Sequence, residues 1–125
     1  MTARLLIAVA TLAAAVACTA CAPHDTMAQQ IAGGDVARGR VAIRQYGCQT
    51  CHVIPGVTGA DALTGPPLNG IGGRVYLGGV VTNTPDNMAA FLRDPKAFEP
   101  LTAMPALGLS EQDARDITAY LYTLN

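Results

Sequence analysis

The residues Cys48-Gln49-Thr50-Cys51-His52 place two cysteines and a histidine within five consecutive positions. Two thiols three positions apart can each add to one of the two vinyl groups of a haem, and the histidine that follows can reach the iron beneath the ring. Because that chemistry needs this spacing, the pentapeptide predicts one covalently attached haem c. Cys48 and Cys51 would form the thioether bonds, and His52 would be an iron ligand.

Three other interpretations of this stretch are weaker. A redox-active Cys-x-x-Cys pair starts a long helix within alternating strands and helices, and no such strands are apparent here. A zinc site needs two further ligands, yet the other histidine, His24, lies far away near the N-terminus. A structural disulfide gives no reason for the adjacent histidine. The haem interpretation accounts for all three side chains.

The composition limits the classes of protein that this chain can belong to. It has 125 residues, enough for one domain, with no Trp, two Phe and four Tyr. Such a domain has a limited core, which a large bound cofactor would help to complete. The formal net charge is −1 and no Lys/Arg block is present, so no nucleic-acid partner is expected. Without a recognisable catalytic set, we expect an electron-transfer protein and not an enzyme.

The N-terminus has the pattern of an export signal. Arg4 supplies a positive charge, and the apolar run from Leu5 to Ala17 is shorter than the about 20 residues that cross a bilayer comfortably. The run ends in Ala15-Val16-Ala17-Cys18, which resembles a bacterial lipoprotein cleavage box with Cys18 as the acylated residue. Cys21 is a second candidate for lipidation. An ordinary secretory signal cleaved a few residues later is the alternative.

These features divide the chain into three parts. We expect residues 1–21 to be the export segment, residues 22–34 a flexible tether with few apolar side chains, and residues 35–125 the folded domain. The predicted location is the periplasmic side of the cytoplasmic membrane, with a lipid as the anchor. The usual inference of two disulfides from four exported cysteines does not apply, because two of the four lie at the signal boundary.

Helices are predicted at both ends of the domain. Asp35 is the N-cap of a first helix from Val36 to about Tyr46. Ser110 and Asp113 form a capping-box-like start for a last helix. The apolar residues of this last helix recur at spacings of three, four and three, which makes one buried stripe. They are Ala114, Ile117, Leu121 and Leu124.

The middle of the domain is rich in loops. One further helix is predicted from Thr84-Pro85 to about Asp94, where Pro95 stops it. The Gly- and Pro-rich residues 55–79 show neither helical nor strand periodicity, and a loop this long inside a compact domain is expected to enclose a bound group. A second loop, which contains several prolines, follows Pro95. No run alternates with period two, so little or no sheet is expected. The predicted fold class is all-α, with three to four helices wrapped around one covalently attached haem.

Met104 is the best candidate for the second axial ligand of the iron. It lies in an irregular Pro-rich loop far from His52, where a thioether can approach the haem without being held by helix geometry. A sulfur ligand opposite an imidazole raises the reduction potential. Met27 lies in the tether and Met88 within a helix, where filling a gap in the core is the usual role of a methionine. His24 would have to fold back onto the haem.

Four motifs in this order resemble the class I, mitochondrial-type cytochromes c over about residues 35 to 125. They are Cys48 to His52, the run from Thr64 to Arg74, Met104-Pro105 and the final Tyr120-Leu121. The resemblance implies a small cytochrome c fold and an electron carrier whose haem iron has His and Met as axial ligands.

The resemblance also implies roles for residues around the haem. Pro66 would accept a hydrogen bond from the far nitrogen of the ligating histidine and fix its ring. Arg74 would pair with a haem propionate, although a solvated loop cation is the alternative. Tyr76 would either bind a propionate or simply pack. Gly39 would let the first helix cross closely over the last one near Tyr120.

The chain departs from the family pattern in its charges. Mitochondrial-type cytochromes dock through a ring of lysines, whereas Lys96 is the one lysine of this chain. We therefore expect a largely apolar docking surface around the haem edge without strong positive steering. The run from Leu63 to Leu124 also resembles cytochromes associated with bacterial haem–copper oxidases.

The function that this resemblance implies is electron transfer in a respiratory chain, from a quinol-oxidising complex to a terminal oxidase. The protein would be either a mobile carrier or a fixed haem subunit of a complex. A peroxidase-like or gas-binding protein with an open iron site is the alternative, and it requires Met104 to be absent from the iron.

Overall fold

The computed structural model of the protein describes Ala28 and residues 33–125. The predictions for the export segment and for most of the tether, including Cys18, Cys21, His24 and Met27, lie outside the described residues. Within the described residues, no helix has both the length and the apolar character that a membrane span requires.

Four α-helices form the frame of the described region: α1 is Val36–Gln45, α2 is Pro85–Arg93, α3 is Pro95–Phe98 and α4 is Glu111–Tyr122. Between α1 and α2 lie two 3-10 turns, Cys48–Thr50 and Ile71–Gly73, and one antiparallel hairpin of β1 Tyr76–Leu77 and β2 Val81–Thr82. The prediction of a small all-α fold with little sheet is confirmed.

Helix α1 begins and ends close to the predicted positions. The Asp35 side chain accepts a hydrogen bond from the backbone N–H of Arg38 (2.8 Å), which satisfies one of the free donors at the helix start. Gly47 has a φ of 77°, a left-handed conformation that glycine adopts without strain. The chain therefore turns directly from α1 into the 3-10 turn that starts at Cys48.

Helices α1 and α4 cross with their backbones in contact at Gly39. A Cβ at this position would overlap the carbonyl oxygen of Asp116, so the crossing requires a glycine. The contact on α4 is at Asp116, one turn before Tyr120, near which the resemblance places the crossing. The Tyr120 hydroxyl instead donates to the carbonyl oxygen of Pro55 (2.7 Å) and holds the loop that follows the pentapeptide.

Asp116 is a buried carboxylate with donors from both helices. It is 2% exposed and accepts hydrogen bonds from the Asp35 backbone N–H (2.7 Å), Arg38 Nε (2.8 Å) and Gln112 Nε2 (2.9 Å). Burial acts to raise the pKa of this carboxyl, but Arg38 and the other donors together outweigh burial, so the pKa lies below its usual value. The ionised form therefore fastens α4 to the start of α1.

We predict that Asp116→Asn lowers the free energy of unfolding by about 1 to 3 kcal/mol at neutral pH, because charge-assisted hydrogen bonds are lost. Since the folded-state pKa is depressed, this stabilisation is present above the unfolded-state pKa of about 4 and disappears as pH falls through the folded-state value. Urea unfolding of the variant and the parent, at neutral and at strongly acidic pH, measures the difference.

The matched control is Asp86→Asn, because Asp86 is 86% exposed in its ion pair with Arg115. Such a surface pair contributes at most about 1 kcal/mol. An equal cost of Asp116→Asn at both pH values would contradict the role of the ionised carboxylate.

The predicted loop after α2 contains a helix. Helix α2 itself follows the prediction, with Thr84 as N-cap and Pro85 in its first turn. The prediction of a loop from Pro95 onward is wrong for four residues, which form α3. Asp94 ends α2 and also caps α3, since its side chain accepts a hydrogen bond from the Ala97 N–H (3.3 Å). Pro95, which was interpreted as a breaker, suits the first position of a new helix.

Helix α4 is central to the core. Ala114, Ile117 and Leu121 of the predicted stripe are buried, and Leu124 lies past the helix end and is half-buried. The helix packs against both α1 and α2, and the fully buried Met88 of α2 belongs to the same core. The long segments 46–84 and 99–110, which carry the predicted site residues, lie between these three helices along the chain.

Candidate haem site

The pentapeptide Cys48 to His52 folds into one tight turn directly after α1. The N–H groups of Cys51 and His52 both bond to the carbonyl oxygen of Cys48 (3.2 and 3.1 Å). Both cysteines are half-buried free thiols. Two thiols and an imidazole on one short, hydrogen-bonded turn suit two covalent bonds to a rigid group and one bond to a metal at its centre.

The Cys48 thiol is not an activated one. Burial raises its pKa, and the smaller effects of a backbone hydrogen bond, which lowers the pKa, and of Cys51, which raises it, do not reverse this direction. The thiols of redox-active Cys-x-x-Cys motifs have lowered pKa values, because the thiolate is the attacking species. A thiol with a raised pKa argues against disulfide exchange as the task of this pair.

The ring of His52 is held in one orientation. Its Nδ1 lies 2.7 Å from the carbonyl oxygen of Pro66, and since a carbonyl can only accept, Nδ1 is the donor. In the neutral ring this leaves the lone pair on Nε2, the nitrogen free to bind a metal. A hydrogen bond from the Gly65 N–H to the Cys51 carbonyl (2.7 Å) joins the same two segments. The contact that the family resemblance implies for Pro66 is thus present.

Gly65 packs directly against the imidazole. A Cβ at this position would lie 2.7 Å from Nδ1 and 3.0 Å from Nε2 of His52, well inside van der Waals contact. Sequence reasoning assigned Gly65 no role, although it belongs to the Gly- and Pro-rich run expected to wrap around a group. Only the fold shows that the backbone approaches this side chain closely.

We predict that Gly65→Ala displaces the His52 ring from its hydrogen bond with Pro66. Overpacking of this kind typically costs about 1 to 3 kcal/mol. Thermal unfolding measures this cost, and the visible spectrum of the haem-loaded protein reports the displacement of the ring. The matched control is Gly73→Ala, because a Cβ at Gly73 meets no atom within 4 Å and the residue does not have a positive φ. If both variants keep the parent's stability and spectrum, the packing of Gly65 on the imidazole does not hold the ring.

Arg74 is exposed but anchored. Its Nη2 donates to the carbonyl oxygens of Pro67 (2.6 Å) and Asn69 (3.0 Å). Among the described residues it forms no ion pair with an acidic side chain, and its Nε and Nη1 make no hydrogen bond there. The Nε and Nη1 donors of the guanidinium are therefore available to bind an anionic group. Tyr76, at the start of β1, is 57% exposed, and its hydroxyl has no hydrogen-bond partner in the described region.

The two described methionines have different surroundings. Met104 is half-buried in the loop between α3 and α4, where its N–H donates to Oγ1 of Thr102 (3.2 Å). Met88 is buried in the core, as expected of a methionine that fills a gap. Of these two, Met104 is therefore the thioether that remains accessible to a bound group.

Exposed apolar side chains gather on the loops that carry the site residues. Leu63 is 80% exposed two positions before Gly65, and Leu101 is 94% exposed three positions before Met104. Among the large exposed hydrophobic residues of the described region, Val41 lies on helix α1 and not on the segments that carry the site residues. The others are Leu63, Val75, Tyr76, Val80, Leu101 and Leu107.

These observations test whether a haem fits the residues present. A large apolar macrocycle would cover side chains that otherwise face water, and the thiols, imidazole and thioether are ligands that suit a haem and its iron. The described residues contain no group of three or more His, Cys, Asp or Glu that could hold a metal ion, which a zinc site built from protein ligands needs. The residues therefore fit a haem.

This chain is similar to known proteins. The family model described as cytochrome c matches residues 36–125, the range that contains every described site residue. The chain is also 33% identical over 103 residues to cytochrome c oxidase subunit 2 of Alkalihalophilus pseudofirmus. That match covers 82% of this chain and 27% of the relative, so the chain spans about a quarter of the relative's length.

Proposed function

The chain belongs to the cytochrome c family, and from that premise we propose that it carries electrons on one haem c, bound by Cys48, Cys51, His52 and Met104. The hydrogen bond between His52 Nδ1 and the Pro66 carbonyl (2.7 Å) is the main support for this assignment. It leaves Nε2 free on a histidine that directly follows the two thiols.

The pentapeptide residues would attach and orient the cofactor. The thiols of Cys48 and Cys51 would each add across one vinyl group, so that sulfur bonds to one carbon, hydrogen goes to the other, and no atom is lost. The Pro66 carbonyl would keep the His52 ring in place and raise its basicity as a ligand. When bound, the haem supplies the one-electron oxidation and reduction of its iron.

Met104 would be the second ligand of the iron. Its half-buried side chain lies on the loop between α3 and α4, where no helix restricts the approach of the thioether to a bound group. Ligation by sulfur and imidazole would raise the reduction potential of the iron. Because the chain would then supply both ligands, no open position would remain for a substrate. This favours a carrier over a peroxidase-like or gas-binding protein.

We predict that Met104→Ala abolishes the weak far-red absorption band that methionine ligation gives an oxidised cytochrome. The midpoint potential should fall by on the order of 100 mV, within the about 0.8 V range that axial ligation spans. The control is Met88→Leu, a core replacement of similar volume that should keep the band and cost less than about 1.5 kcal/mol in stability. A high-spin oxidised parent protein without the band would favour the peroxidase-like or gas-binding alternative.

Arg74, and with it Tyr76, would face the propionates of the cofactor. Arg74 has free guanidinium donors and no acidic partner among the described residues. A planar guanidinium binds a carboxylate through two parallel hydrogen bonds. Arg74 is therefore the stronger candidate of the two for contact with a propionate.

We propose a terminal oxidase as the electron acceptor and a quinol-oxidising complex as the donor. The relative whose name is cytochrome c oxidase subunit 2 supports the first assignment. The side chains of Leu63, Leu101 and Leu107 are exposed and would be available for apolar contact, and Lys96 is the one lysine of the chain. Docking would therefore depend on apolar contact more than on charge steering. Such contact would serve a tethered carrier and a fixed oxidase subunit alike.

For the location, we propose a lipid tether at Cys18 that holds the domain on the periplasmic side of the cytoplasmic membrane. The support is the sequence Ala15-Val16-Ala17-Cys18 after a short apolar run. Such a tether would let the domain search for a partner nearby while it stays at the membrane.

We predict that Cys18→Ser releases the protein from the membrane fraction, because stable anchoring needs more than one acyl chain and this cysteine would carry them. Cys21→Ser is the matched control and should remain with the membranes. Fractionation, followed by intact-mass measurement of each form, gives the result. Release by Cys21→Ser alone would make Cys21 the acylated residue, and retention of both variants would contradict the lipid tether.

A further inference from the structure

One amide side chain holds both ends of the turn that carries Arg74. Asn83 Nδ2 donates to the carbonyl oxygens of Ile71 and Arg74, both at 2.8 Å, and its Oδ1 accepts a hydrogen bond from the Tyr122 hydroxyl (3.1 Å). Because the carbonyls only accept and the hydroxyl donates, the orientation of the amide is fixed. Asn83 therefore links the first and last residues of the 71–74 turn to the end of α4.

The same turn rests on α4 by its backbone. The Gly72 N–H donates to the carbonyl oxygen of Leu124 (3.0 Å), and a Cβ at Gly72 would lie 2.9 Å from the carbonyl oxygen of Tyr122. The N–H of Asn83 bonds to the Val75 carbonyl (2.9 Å), which fixes the chain just after the turn. The position of the 71–74 turn relative to α4 thus depends on these hydrogen bonds and on the buried side chain of Ile71. Three of the hydrogen bonds belong to the Asn83 side chain.

The position of Arg74 depends on this turn. The Asn83 amide holds its carbonyl oxygen, and the carbonyls of Pro67 and Asn69 hold its Nη2. Loss of the amide would free the end of the turn from which the guanidinium extends. The guanidinium has no acidic partner among the described residues that could compensate.

We propose that Asn83 is a positioning residue that sets where Arg74 meets a propionate of the bound haem. This inference rests on the proposed function. A guanidinium beside a carboxylate offsets its charge and lowers its pKa. If Arg74 moves away, the uncompensated negative charge near the iron stabilises the oxidised state, so the midpoint potential falls. The propionate then also titrates at higher pH, so the pH range over which the potential changes moves to higher values.

The test compares Asn83→Ala with Asn87→Ala in the haem-loaded protein. Asn87 is a matched control, because its Nδ2 also donates to a backbone carbonyl nearby, that of Thr82 (2.9 Å), but makes no contact with the turn. We expect Asn83→Ala to lower the midpoint potential and to move the pH range over which that potential changes to higher pH. Asn87→Ala should leave both unchanged. Unchanged potential and pH profile in Asn83→Ala would overturn the inference, even if its stability falls.

A double-mutant cycle with Arg74→Gln shows whether Asn83 acts through Arg74. Asn83→Ala should have no further effect on the potential in the Arg74→Gln background, and a shift that persists there would overturn the inference. If Arg74→Gln alone changes nothing, the propionate contact in the proposed function fails. If Arg74→Gln shifts the potential and Asn83→Ala does not, only the role of Asn83 fails.

A milder variant keeps the inference testable if Asn83→Ala does not yield a folded haem protein. Tyr122→Phe removes the donor to Asn83 Oδ1 and leaves the two carbonyl contacts in place. It should shift the potential in the same direction by a smaller amount. A parent-like potential and pH profile in Tyr122→Phe would overturn the link from α4 through Asn83 to the turn.

Discussion

The hydrogen bond from His52 to the Pro66 carbonyl joins the two parts of the chain on which the site depends. One part is the turn after α1 that holds both thiols. The other is the Gly- and Pro-rich loop, which has little regular structure and must satisfy its backbone groups elsewhere. Bonds from the Gly65 N–H to Cys51 and from the Leu68 N–H to Val53 lie on either side of this contact. Together they dock the loop against the pentapeptide without a sheet.

The frame and the site have separate means of support. Helices α1 and α4 are fastened by the close approach at Gly39 and by the buried carboxylate of Asp116, neither of which belongs to the pentapeptide or to the segments 55–79 and 99–109. The residues assigned to the cofactor instead lie on loops that this frame positions. Such a division keeps the side chains of the site in place through rigid surroundings, while Leu63 and Leu101 on these loops remain exposed.

The accuracy of the sequence predictions follows from how local their signals are. Asp35, Gly47 and Ser110 act within a few residues, so the bounds of α1 and the start of α4 could be predicted. Helix α3 was missed because Pro95 both ends one helix and suits the start of another. The ion pair of Arg38 with Asp116 was not predicted, since the two residues are 78 positions apart in the chain. Gly65 and Asn83 received no role, because their contacts exist only after the loops fold.

The intact mass of the protein, purified from cells that attach haem c, tests covalent haem attachment at Cys48 and Cys51 most simply. If Cys48 and Cys51 attach one haem by addition to its vinyl groups, the mass equals that of the processed chain plus one whole haem, together with any lipid. The added haem mass should persist under denaturing conditions and disappear when both cysteines are replaced by serine. A mass without haem in such a preparation, or a haem lost on denaturation, would contradict covalent attachment.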